Sequence, residues 1–318
     1  MAPTDPDPSP APIRRVAFLG PVGTFTEQAL QREADLAGAD LLPCDSMVDV
    51  LFAVHEGAAD AGVVPIENAI EGTVNATIDT LAMDVEVMIQ RELLEPVAMN
   101  LLAPPGAGLA GIRSVTSIPV ATAQCRTWLR DNLPDAAHVA ANSTAEAAAG
   151  VAKAADPTMA AIGNSRAAEV YGLEVLAAGI EDHPENQTRF VVVAKAAVPP
   201  PTGHDKTSIV VYQRNDEPGS LMSILQEFAA RRINLTLLLS RPTKTNLGDY
   251  CFVLDLEGHI ADEVVADCLR ILKSTQGDVK FLGSYPAAGA DGPERRARAD
   301  AADISATAWV QGLRELIR

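Results

Sequence analysis

Four polar side chains stand where short apolar runs of the chain give out: Thr24 in the loop after residues 16–20, Glu67 and Asn68 after residues 61–66, and Asn164 after residues 160–163. A hydroxyl, a carboxylate and two amides can hydrogen-bond a small polar ligand, and the carboxylate can also exchange protons with it. Other chemistries are not written in the spacing. No Ser, His and Asp fall into an order that suggests a hydrolytic triad, no phosphate loop occurs, and no metal-ligand cluster is visible. Cys44, Cys125, Cys251 and Cys268 are scattered, as are the five histidines, which fits neither a zinc site nor a disulfide framework and suits a reducing cytosol.

The elements that must carry these groups repeat one grammar. Residues 16–20 read as a strand, followed by a loop and a helix that opens at Thr24 with Glu27 at capping-box spacing. Residues 61–66 lead to a helix whose Val74, Ile78 and Leu81 share a face, and a third copy starts at Val120, with a helix opening near Thr122. Ser143 and Glu146 repeat the capping box, and residues 160–163 form a strand running into a helix closed by Gly172. Alternation of this length predicts an α/β architecture with parallel sheets, in which ligands sit beyond the carboxyl ends of the strands.

The breaker-rich stretch Val198-Pro199-Pro200-Pro201-Thr202-Gly203 ends that pattern. Beyond it, strands at 208–212, 235–239, 250–256 and 279–282 alternate with two helices in a βαββαβ order, a ferredoxin-like α+β sandwich. The expected division is a disordered Pro-rich tail over 1–12, a catalytic part over 13–197, a linker over 198–205, a second domain over 206–286, and a linker plus amphipathic helix over 287–318. Trp309, Val310, Leu313, Leu316 and Ile317 form the stripe of that last helix.

Bulk properties narrow the partners. A formal charge of -17 repels nucleic acid and anionic membranes, and 4% aromatic residues leave little surface for stacking on bases. No apolar run is long enough to span a bilayer, and the first residues lack the apolar core of a signal peptide. A cytoplasmic location is expected. An anionic small substrate stays possible if local donors offset the negative field.

Three segments carry a family resemblance: Gly20-Pro21-Val22-Gly23-Thr24-Phe25-Thr26-Glu27, Val64-Pro65-Ile66-Glu67-Asn68-Ala69-Ile70-Glu71-Gly72, and Asn186-Gln187-Thr188-Arg189-Phe190. Together and in this order they resemble the prephenate dehydratases. That resemblance implies a two-lobed catalytic domain like periplasmic binding proteins, and a reaction that expels carbon dioxide and a ring hydroxyl from prephenate to give phenylpyruvate in phenylalanine biosynthesis. Aromatisation drives such a reaction, so no cofactor is implied.

On the same resemblance, Thr188 assists the departing hydroxyl, and Glu67, Asn68 and Gln124 line the cleft. Thr24 would cap a helix beside the substrate, Arg189 would meet a substrate carboxylate, and Phe190 would form wall or core. Plainer readings stand beside these: a β-branched residue opening a strand for Thr188, a solvated or capping carboxylate for Glu67. Adjacent strand residues point to opposite faces, which sets Thr188 against Arg189. Ala69 stands where many relatives have serine.

Gly219-Ser220-Leu221, Asn234-Leu235 and Leu239-Ser240-Arg241-Pro242 are similar to the ACT-domain motifs that bind phenylalanine between paired domains in this family. A homodimer or homotetramer and L-phenylalanine as effector follow from the likeness. Leu239 replaces the usual glutamate and Leu237 joins it on one side of the strand, so a face that is commonly wet is apolar here; a closer subunit contact or cover by the C-terminal stripe would explain it. Arogenate dehydration, prephenate decarboxylation and a noncatalytic sensor are the competing functions.

Overall fold

The computed structural model describes residues 12–195, 197–213, 217–244, 249–289, 309 and 312–314. By spatial grouping the described residues form two compact units, one lying within residues 1–77 and 95–195, the other within residues 78–94 and 196–318. The second unit is therefore discontinuous. The chain enters it inside a helix, leaves it inside a strand, and returns after residue 195.

In chain order the elements are β1 (Arg15–Leu19), α1 (Phe25–Gln31), α2 (Ala34–Ala37), β2 (Asp40–Cys44), α3 (Met47–Glu56), β3 (Ala61–Asn68), β4 (Gly72–Thr73), α4 (Asn75–Met83), β5 (Met88–Pro96), β6 (Asn100–Ala103), β7 (Ser114–Ser117), α5 (Pro119–Gln124), α6 (Arg126–Asn132), β8 (Ala137–Ala140), α7 (Thr144–Ala154), β9 (Met159–Gly163), α8 (Ser165–Tyr171), β10 (Glu174–Ala177) and β11 (Gln187–Ala194). The remainder is β12 (Asp205–Tyr212), α9 (Ser220–Ala230), β13 (Leu235–Pro242), β14 (Tyr250–Glu257), α10 (Glu263–Thr275) and β15 (Asp278–Pro286). None of the helices among the described residues is long and apolar enough to cross a membrane.

The first unit holds two sheets. One runs β2-β1-β3-β11, with β4 hairpinned onto β3; the other runs β10-β6-β9-β7-β8. Parallel pairing, the sequence expectation, is found where a helix makes the crossover: β1 with β2 and β3, and β7 with β8 and β9. Elsewhere the expectation fails. Strand β11 runs antiparallel to β3, and β6 antiparallel to β9 and β10, so both sheets are mixed. Val16, Phe18, Val63 and Val191 in one sheet and Leu101, Val115, Ala160 and Ile162 in the other are fully buried.

Caps form where their chemistry predicts. Thr24 Oγ1 accepts from Glu27 N, Ser143 Oγ accepts from Glu146 N at 2.9 Å, and Gly172 closes α8 in the left-handed region at φ 66°. Helix α5, that of the third strand-helix copy, differs from its expectation. It opens at Pro119, whose ring suits the first helical position, and not near Thr122, so Gln124 is the last residue of α5.

The second unit has strand order β13-β14-β12-β15, with α9 and α10 on one face. This is the ferredoxin-like arrangement. Ile209 and Val211 of β12 join Phe252, Leu254, Leu256, Ile224, Phe228 and Leu272 in the core under the helices. The alternate positions face the other way, and there residues 78–94 supply the cover: Tyr212 Oη donates to Ala82 O at 2.6 Å, and Lys206 Nζ meets Glu92 Oε1 at 2.9 Å. Gly283, at φ 138°, passes so close that a Cβ would lie 2.5 Å from Ile89 O.

Candidate active site

Asn68 ends β3 and Thr188 lies opposite it in β11, so two residues 120 apart in sequence become cross-strand partners. Asn68 Nδ2 donates to Thr188 Oγ1 at 2.9 Å. The sense of that amide follows from its other end, where Oδ1 accepts both Ile70 N and Glu71 N at 3.0 Å, a turn typical of asparagine. With Oδ1 committed to two N–H donors, the NH2 group must face the threonine. Thr188 Oγ1 is thus an acceptor toward Asn68, and its own proton points elsewhere.

The neighbouring pair lies on the opposite face of the ladder. Arg189 sits across from Glu67, with Arg189 Nη1 3.6 Å from Glu67 Oε2, and the register slips by one residue immediately beyond. Arg189 is buried and Glu67 is half-buried. Of the three residues expected around the reaction, Asn68 and Thr188 therefore lie together, while Glu67 turns to Arg189. Phe190 is 2% exposed and packs as wall.

A second set of amides joins the two sheets of this unit. Gln124 Nε2 donates to Glu71 Oε1 at 3.1 Å, and Asn186 Nδ2 donates to Gln124 Oε1 at 3.3 Å. A carboxylate only accepts, so Glu71 sets the sense of Gln124, and Gln124 in turn sets that of Asn186. Asn186, singled out in the sequence only as part of a motif, is buried just ahead of β11, two residues before Thr188. Glu71 was likewise missed. An exposed glutamate in a turn, just ahead of Gly72, carries no signal of what it will touch.

The Thr24 hydroxyl proton is committed: it is donated to Leu19 O at 2.9 Å, while the oxygen accepts from Glu27 N. Its role is to shape the loop at residues 20–24, where Gly23 takes φ 91° and lies against Tyr171 and Ala167. Glu27, 1% exposed, accepts from Gly23 N and from Arg166 Nη2 at 2.9 Å. Asn164 caps α8 through Ala167 N at 2.8 Å. Burial, helped by Glu181 and Asp182, pushes the Cys125 thiol up to about 12, which removes it as a nucleophile near neutrality. Among the described residues no group of three or more His, Cys, Asp or Glu side chains could hold a metal ion.

The second unit has a concavity of its own. A cavity of about 510 Å³ is lined by Gly219, Ser220, Leu221, Ser240, Tyr250 and Phe252 among others. Gly219 starts α9 from φ 95°, and Ser220 Oγ donates to Glu217 O at 2.7 Å. Of the remaining motif residues, Leu235 packs on the core, Asn234 O accepts from Glu257 N, Pro242 pairs with Tyr250, and Arg241 turns to the face opposite Ser240. Leu237 and Leu239 are half-buried on that same opposite face, beside Arg241 and its partner Asp79. Trp309 and Leu313 are exposed, while Val310, Leu316 and Ile317 lie outside the described residues.

Residues 16–198 match the family model described as prephenate dehydratase. A prephenate dehydratase of Mycolicibacterium vanbaalenii is 44% identical over 314 residues, covering 94% of this chain and 98% of the relative. Among solved structures, prephenate dehydratase from Arthrobacter aurescens in complex with L-Phe superimposes with a TM-score of 0.81 at 42% identity, covering 95% of this chain and 99% of that one. A second, GqqA, described as a novel type of quorum quenching acylase, reaches 0.77 at 30% identity, with 86% and 98% covered. The motifs around Asn68 and Thr188, the family model over more than half the chain and the near full-length relatives agree, and the chain belongs to the prephenate dehydratase family.

Proposed function

We propose that the first unit converts prephenate to phenylpyruvate, carbon dioxide and water, and that the second is an ACT domain answering to L-phenylalanine. The hydrogen bond from Asn68 to Thr188 carries the first half. In prephenate the ring carboxylate leaves as carbon dioxide, its bonding electrons move through the ring, and the bond to the opposite hydroxyl breaks. That oxygen needs one proton to depart as water. Thr188, its oxygen already an acceptor toward Asn68, passes its hydrogen to the leaving oxygen and regains one from solvent, so the single proton consumed is drawn from water; general acid help of this kind is worth about 10² to 10⁴ in rate.

The two sheets of the first unit are read as the lobes of a periplasmic-binding-protein-like domain, bridged by Gln124 between Glu71 and Asn186. Gln124 and Asn186 are the substrate-side hydrogen bonders, and Arg189 with Glu67 braces the strand pair from behind. Acyl transfer suits this site less well. It calls for a nucleophile beside a base, and the partner of Thr188 is an amide with no proton-accepting nitrogen.

For the second half, the cavity at Gly219, Ser220, Leu221 and Ser240 coincides with the motifs expected at an effector site, and the A. aurescens relative is complexed with L-Phe. A homodimer or homotetramer paired through ACT domains, in the cytoplasm, completes the reading. Purified protein is incubated with prephenate and followed by the absorbance of phenylpyruvate, alongside Thr188→Val and Thr188→Ser. Valine abolishes turnover and serine keeps part of it; a valine variant of wild-type rate removes Thr188 from its role.

A further inference from the structure

Five polar residues of the first unit close a circuit. Asn68 Oδ1 accepts Glu71 N at 3.0 Å, the Glu71 carboxylate accepts Gln124 Nε2 at 3.1 Å, and Gln124 Oε1 accepts Asn186 Nδ2 at 3.3 Å. Two residues along the chain from Asn186, Thr188 Oγ1 accepts Asn68 Nδ2 at 2.9 Å, which completes the circuit. One atom in it stands apart. Asn186 Oδ1 is buried and meets no donor among the described residues, in a residue only 2% exposed. A buried acceptor without a donor destabilises a fold, and native chains carry few of them.

The sense of this amide is imposed from the other end of the chain of hydrogen bonds. A carboxylate only accepts, so Glu71 draws the NH2 of Gln124, the Gln124 oxygen draws the NH2 of Asn186, and the Asn186 oxygen is what remains. The backbone at both amides is pinned: Asn186 N donates to His183 O at 3.0 Å, Asn186 O accepts Val97 N at 2.9 Å, and Gln124 O accepts Asp182 N at 2.6 Å. Prephenate can answer an acceptor at one point alone. Its two carboxylates and its ketone only accept, and the ring hydroxyl is its single donor.

We propose that Asn186 Oδ1 receives the hydrogen of the substrate's ring hydroxyl, and that Glu71, acting through Gln124, is the positioning residue that holds the amide in this sense. The inference rests on reading prephenate as the substrate of the first unit. With its own hydrogen committed to Asn186, the hydroxyl oxygen turns a lone pair to Thr188. The water that leaves then carries one hydrogen held by Asn186 and one delivered by Thr188, and no proton passes to the amide.

The test uses the full chain, with steady-state turnover of prephenate, inhibition by phenylpyruvate, whose ring has no hydroxyl, and a thermal melt. Glu71→Lys puts a donor where the carboxylate stood, so Gln124 turns its oxygen to residue 71 and Asn186 offers its NH2 in place of Oδ1. Asn186→Ala removes the acceptor outright. Glu71→Gln can still accept from Gln124 and serves as the rescue. In Glu71→Lys and Asn186→Ala kcat is expected to fall at least about tenfold, with phenylpyruvate inhibition weakened by no more than about threefold. Glu71→Gln recovers kcat to within about fivefold of wild type. A folded Glu71→Lys that keeps kcat within about threefold of wild type, or that loses phenylpyruvate inhibition together with kcat, overturns the positioning role. Should Glu71→Lys fail to fold, Asn186→Ala decides, and wild-type kcat in that variant overturns the proposal. Either result leaves Thr188 and the dehydratase reading standing. A wild-type chain that does not turn over prephenate overturns that reading, and this one with it.

Discussion

Replacing Asn68 by aspartate tests the polarity of the site with almost no change in shape. Oδ1 would keep Ile70 N and Glu71 N, and as part of a carboxylate would hold them more firmly, so the turn survives. The atom facing Thr188 Oγ1 at 2.9 Å changes from a donor to an acceptor. Thr188 must then give its proton to residue 68, and the leaving oxygen loses its donor. The loss of that assistance is worth about 10² to 10⁴ in kcat, or about 3 to 5 kcal/mol of barrier. The new charge adds to this, since at roughly 5 Å and an effective dielectric constant near 20 it repels each substrate carboxylate by about 3 kcal/mol, which raises KM. Steady-state phenylpyruvate formation gives both constants, and a thermal melt verifies the fold. An Asn68→Asp enzyme with more than a tenth of wild-type kcat and an unchanged melt would refute the idea that the amide aims the threonine's proton.

Two further outcomes follow from the second unit. Gly283→Ala puts a methyl 2.5 Å from Ile89 O at φ 138°, and should cost about 3 kcal/mol or more, read as a lower urea midpoint; an unchanged midpoint counts against the close passage. Asp79→Asn should have a pH signature in stability. Burial pushes the Asp79 carboxyl up, but the hydrogen bonds and charges of Arg241 and Lys244 outweigh it and hold it below the ordinary aspartate value. A depressed carboxyl stabilises above its unfolded value, near 4, and loses that contribution as pH falls through the folded value. Wild type should therefore exceed Asp79→Asn by about 1 kcal/mol at pH 7, with the gap closing below about pH 4; a gap that persists at pH 2 contradicts the ion pair as its source.

What could be read from the sequence is what is settled locally. Thr24, Ser143 and Gly172 announce helix ends because a cap involves residues within one turn. The placement of Gln124 went astray for an equally local reason, the weight given to Thr122 over Pro119 as a helix start. Long-range geometry is different in kind. That Asn68 and Glu67 face opposite sides, and meet Thr188 and Arg189 respectively, depends on a register set between strands more than a hundred residues apart and on a slip beside Arg189. Nor does any breaker mark the passage into the second unit, which falls inside a helix at residue 78 and inside a strand at residue 94.

That interleaving bears on how the chain is made. Ile78, Leu81, Ala82, Val85 and Ile89 are buried in the finished molecule, yet the sheet they pack with is complete only when β15 has been synthesised. At ordinary translation rates the interval is roughly 10 to 40 s, during which a stretch of apolar side chains waits without its partner surface. Nascent chains caught in this interval should be the species that chaperones bind and proteases cut. A chain stopped after residue 195 would keep that exposed stretch permanently, so separating the two units by simple truncation should yield aggregate instead of an unregulated enzyme.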